Sequence, residues 1–93
     1  MGLLCIDIQR HDAGIYGWII AHGPDLVCGD DGDSSISDCI NNAACTLPEG
    51  ERLAEVRYRG IHMGTFVKKQ LIEFPDLVAD RIMESYGTLI AGI

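Results

Sequence analysis

The sequence predicts an α+β fold, a small antiparallel sheet of three to four strands with two helices packed on one face. Three observations carry that expectation. Apolar residues alternate with a period of two near the N-terminus, two later segments carry helix-start signals, and turn residues separate the pieces. At 93 residues the chain fits one domain, residues 1–93, with a modest core.

The first strand spans residues 3–10, where Leu4, Ile6 and Ile8 alternate with Cys5, Asp7 and Gln9. His11, Asp12, Ala13 and Gly14 form a turn candidate. Residues 15–21 are rich in β-branched and aromatic side chains and make a second strand, closing a hairpin. Gly23-Pro24 breaks the pattern, and residues 26–28 read as a short third strand. An acidic, glycine-bearing loop follows at residues 29–33.

Ser35 with Asp38 has capping-box spacing, and Ile36, Cys39, Ile40, Ala43 and Leu47 give the helix an apolar face. Pro48-Glu49-Gly50 ends that helix. Residues 51–59 return to strand alternation, with Ala54, Val56 and Tyr58 on one side. Residues 61–63, bracketed by Gly60 and Gly64, carry no clear signal, and residues 65–72 fit helix or strand. Pro75 opens a second helix with Leu77, Val78, Ile82 and Tyr86 in its apolar pattern and Gly87 placed to cap it. The uncharged tail, residues 88–93, is expected to dock on the core or on a second copy, making a homodimer.

Composition narrows the function classes. Net charge is −7, so nucleic acid and anionic lipid are poor direct partners and a basic protein is a good one. No basic leader or long apolar run is visible, which points to a cytoplasmic chain with reduced thiols. The cation distribution is uneven. From His11 to Glu51 there is no Lys or Arg, while Asp12, Asp25, Asp30, Asp31, Asp33, Asp38, Glu49 and Glu51 fall there. Next, Arg52, Arg57, Arg59, Lys68 and Lys69 face only Glu55. The two segments either neutralise each other or form separate faces.

The candidate partner-binding residues are therefore Asp25, Asp30, Asp31, Asp33 and Asp38, with Trp18 or Tyr16 as an aromatic anchor. No cofactor or metal is expected. The acids around Gly32 do not fit the twelve-residue calcium loop, and Cys5, Cys28, Cys39 and Cys45 contain no C-x₂-C pair. Cys5 and Cys28 could meet across the sheet near His22. An enzyme would need Cys28 or Cys39 beside His22 or His62, but no nucleophile elbow or phosphate loop is present, and no catalytic residue is assigned. A structural, self-assembling role through the apolar tail is the third reading.

Residues 14–43 carry a resemblance. Gly14-Ile15-Tyr16-Gly17-Trp18, Gly23-Pro24-Asp25-Leu26, Cys28-Gly29-Asp30 and the stretch from Ser34 to Asn41-Asn42-Ala43 resemble the N-terminal domain of HicB-type antitoxins. The resemblance implies a strand-strand-strand-helix-strand domain that is acidic and masks a basic ribonuclease toxin. That family usually adds a C-terminal DNA-binding segment, whereas residues 74–93 here are acidic. Small acidic α+β inhibitors, phage-encoded or bacterial, that block a host's nucleic-acid-handling or defence complexes would use the same residues.

Overall fold

A computed structural model describes residues 3–91 and shows an α+β architecture of two layers. In chain order the elements are β1 (Leu4–Asp12), β2 (Ile15–His22), β3 (Asp25–Asp33), α1 (Ile36–Thr46), β4 (Leu53–Tyr58), β5 (Ile61–Val67), α2 (Lys68–Glu73) and α3 (Pro75–Ala91). The strands form one sheet in the order β3-β2-β1-β4-β5.

The turns follow from backbone chemistry. Gly23, with φ 62°, takes the first central position of the β2–β3 hairpin, and Pro24 follows it. Arg59 (φ 52°) and Gly60 (φ 83°) turn the β4–β5 hairpin, which needs left-handed backbone at both positions. Arg59 pays for that unusual conformation with a cation–π contact, its guanidinium lying 5.8 Å from the Tyr86 ring centroid. Tyr86 in turn meets Tyr58 edge-on at 4.9 Å, fixing α3 against β4.

Alternation in the strands sends one set of side chains to the helices. Leu4, Ile6 and Ile8 from β1, Trp18 and Ile20 from β2, and Ala54, Val56 and Tyr58 from β4 are buried there. They meet Ile36, Cys39, Ile40, Ala43 and Ala44 of α1, Leu71 of α2, and Val78 and Ile82 of α3. Each fully buried isoleucine contributes about 1.5–3 kcal/mol relative to exposure. The other face of the sheet, with Cys5, Asp7, Glu55 and Arg57, has no helix over it and is partly exposed.

Several sequence expectations need correction. The described residues form five strands and three helices, and the sheet is mixed, because β1 and β4 run parallel. A parallel neighbour requires a crossover, and α1 supplies it by crossing the sheet from β3 to β4. The segment at residues 29–33 is not a loop but the second half of β3, paired with β2. Residues 61–63 begin β5, and the ambiguous stretch divides into the end of β5 and α2. Gly87 does not cap α3. It has no left-handed φ, and the helix continues to Ala91 because a single glycine costs only about 1 kcal/mol there. Gly92 and Ile93 of the predicted docking tail lie outside the described residues. The α1 start is as expected, with the Asp38 amide donating to Ser35 Oγ at 3.1 Å.

Candidate functional site

Four of the five candidate acids lie along one edge strand of the sheet, and Asp38 lies on α1. Among the described residues β3 pairs with β2 alone, so its other side is an edge of the sheet. Asp25 begins the strand and Asp33 ends it, with Asp30 and Asp31 between. Their register sets their direction. Asp31 lies beside Gly17 on the uncovered face, whereas Asp30 lies beside Trp18, in register with the side that carries the helices.

Local bonds hold these carboxylates in place. His11 Nε2–H donates to Asp31 Oδ1 at 2.7 Å. Asp30 Oδ1 accepts the Asp31 backbone amide at 2.8 Å, and Asn42 Nδ2 donates to Asp33 Oδ1 at 2.8 Å. Asp38, on the first turn of α1, accepts from Ser34 Oγ at 2.9 Å. All of these bonds are solvent-exposed, so the carboxylates remain reachable.

The cations are elsewhere. Arg57 is on β4 and Lys68 and Lys69 begin α2, while β2 and β1 lie between β3 and β4. Three strand spacings separate β3 from β4 by about 14 Å. Arg57 Nε instead pairs with Glu55 at 3.4 Å, His62 with Glu55 at 2.7 Å, and Lys69 with Glu73 at 3.9 Å. The acidic segment therefore lies on the β3 edge and the basic segment on β4 and α2, and no ion pair joins the two among the described residues.

The two aromatic candidates part ways. Trp18 is only 6% exposed and belongs to the core, so it is not available to a partner. Its indole Nε1 is buried without a hydrogen-bond partner among the described residues. Alternation explains this: Trp18 shares its side of β2 with Ile20, facing the helices. Tyr16 is half-buried against the same core.

Cys5 and Cys28 do not meet across the sheet. Cys5 is in register with Ala21 and Cys28 with Ile20, so the two thiols fall on opposite faces with β2 between their strands. Burial, reinforced by the Asp33 carboxylate, pushes the Cys39 thiol up to about 12, the reverse of what a thiolate nucleophile needs. Among the described residues no group of three or more His, Cys, Asp or Glu side chains could hold a metal ion. No helix among them is long and apolar enough to cross a membrane.

Sequence reasoning missed one feature. Cys5, Asp7, Ile19, Ala21, Glu55 and Arg57 line a cleft of about 390 Å³ on the uncovered face. Burial raises the Asp7 carboxyl, opposed by the Arg57 charge and the Gly60 amide, and its Oδ1 has no hydrogen-bond partner among the described residues. The signal was Asp7 between Ile6 and Ile8 in the buried half of β1. Its neighbours depend on the parallel β1–β4 pairing, which sets Asp7 beside Arg57.

No family model, curated protein or solved structure matches this chain.

Proposed function

We propose that this chain is a non-enzymatic protein-binding module whose β3 edge receives a basic protein partner. The supporting observation is the segregation of charge by the fold. Asp25, Asp30, Asp31 and Asp33 share one exposed edge strand, with the nearest strand cation two strands further in, on β1, as Arg10. Such an edge steers a positively charged partner and orients it on arrival. Masking a basic, nucleic-acid-handling protein, as an inhibitor or antitoxin would, is the role this surface suits. The order β1-β2-β3-α1-β4 is also the order that the resemblance to HicB-type antitoxin domains implies, which supports the same reading.

The test compares the wild-type chain with Asp30→Lys, Asp31→Lys and Asp33→Lys combined. Each is used to capture proteins from the native host lysate, and the association kinetics of the captured protein are then measured. The expected result is a basic partner whose association with the variant is slower by roughly tenfold or more at low salt. Equal rates for both chains would refute the proposal.

A further inference from the structure

The two edges of the sheet, β3 and β5, run in opposite directions. β3 and β1 are both antiparallel to β2, so they share a direction, and β4 shares it too. β5 is antiparallel to β4 and runs against all three. A second copy displaced along the sheet, with its helices on the same side, therefore sets its β3 antiparallel to the first copy's β5.

The levels also match. Asp25 is beside His22, which is level with Leu4, and Leu4 is in register with Ala54 and so with Phe66. Further along, Asp30 is beside Trp18, then Ile8, Tyr58 and Ile61. Without any slide, the incoming Asp25 falls beside Phe66, two residues from Lys68. Leu26 falls beside Thr65 and diagonal to Val67. Asp30 and Asp31 reach Ile61 and the Arg59–Gly60 turn.

Chemistry agrees with this geometry. Asp30 is in register with the helix-bearing side, and the Arg59 guanidinium lies on that side, over Tyr86. Leu26 and Val67 are 69% and 49% exposed, and pairing would cover apolar surface on both. β5 contains no Asp, Glu, Lys or Arg, so it brings no charge to oppose the incoming carboxylates.

We propose that the acidic β3 edge of one copy docks on the β5 edge of a second copy, extending the sheet head to tail. The inference rests on the reading of β3 as a docking edge. Each contact uses one β3 and one β5, so an assembly of any length keeps one free β3 at one end and one free β5 at the other; the interface is heterologous and growth is open-ended. Self-assembly and a basic partner compete for the same strand.

A protective role for the acids makes the opposite prediction. Charged side chains on an edge strand ordinarily prevent edge-to-edge pairing, and neutralising them should then promote association. The experiment is sedimentation velocity of the purified chain across a concentration series. It uses about 0.1 M salt, where a Debye length of roughly 10 Å screens whole-molecule repulsion but spares contact pairs. The wild-type chain should grow past the dimer as concentration rises. Asp30→Asn with Asp31→Asn, which keeps the local hydrogen-bond acceptors, should weaken association by roughly threefold to tenfold. Arg59→Asn, which tolerates the left-handed turn, should do the same, and Arg59→Lys should retain association. A wild-type monomer at every concentration, assembly that stops at two, or stronger association of the Asp30→Asn, Asp31→Asn chain would overturn the proposal. Because this test uses the chain alone, its failure leaves capture of a basic partner to be judged separately.

Discussion

Replacing Gly29 with alanine tests the packing that holds the acidic edge to the rest of the sheet. Gly29 lies beside Ile19, and a Cβ there would stand 2.8 Å from the Trp18 carbonyl oxygen. Carbon–oxygen contacts are ordinarily about 3.3–3.6 Å, so β3 would have to retreat by roughly half an ångström. The obstacle is backbone, and it belongs to a residue whose side chain is locked in the core. Gly29 has no left-handed φ, so the cost comes from the contact and not from the dihedral. Overpacking of this kind costs about 1–3 kcal/mol. In a domain of this size each kcal/mol lowers Tm by about 4–8 °C, so Gly29→Ala should melt about 5–20 °C below wild type. Gly17→Ala is the contrast. Its Cβ would run into Asp31 Oδ1 and stand 2.7 Å from His11 Nε2, the ends of two exposed side chains that can swing aside, with the nearest backbone atom, the Asp30 carbonyl oxygen, further off at 3.2 Å. It should lose the His11–Asp31 pair, worth at most about 1 kcal/mol, and melt above Gly29→Ala. Thermal unfolding followed by circular dichroism decides the matter. A Gly29→Ala chain that melts at or above the wild-type temperature would refute the reasoning.

Two further predictions concern titratable groups. Burial raises the Asp7 carboxyl above its ordinary 3.8, so the folded chain holds that proton more tightly than the unfolded one. Ionisation of Asp7 therefore lowers stability as pH rises from the ordinary value through the raised one, and the loss is constant above that. Asp7→Asn should match wild type below the ordinary value and be more stable above it, as urea unfolding from about pH 3 to about pH 7 would show; a pH-independent difference would contradict the assignment. The buried Cys39 thiol, pushed up to about 12, should stay unmodified by iodoacetamide in the folded chain at mildly alkaline pH, while exposed Cys45 reacts. Mass spectrometry of the peptides reads this directly, and rapid modification of Cys39 would restore it as a candidate nucleophile.

Local signals were legible where one physical rule acted alone. The alternation of Leu4, Ile6 and Ile8 marks β1 because it separates a buried from an exposed face. Ser35 marks the start of α1 because its hydroxyl satisfies a free amide, and Pro75 marks α3 because its missing N–H costs nothing in a first turn. Signals failed where two rules competed. The glycines around residues 61–63 resemble loop, yet pairing with β4 makes that segment a strand. The acid run at residues 29–33 also resembles loop, and the β2 ladder overrides it.

The sequence by itself determined the α+β class, the element order through β4, and the uneven division of acids and cations along the chain. Those properties depend on residue type and short spacing. The tertiary structure decided which side of β2 Trp18 occupies, that β1 pairs in parallel with β4, and that Asp7 therefore lies beside Arg57. It also decided that β2 and β1 come between β3 and β4, which turns a charge pattern along the chain into a charge separation across the sheet. The reason is that strand pairing joins residues far apart in sequence, and the choice of neighbour rests on how α1 crosses the sheet and what it buries, which no local pattern encodes.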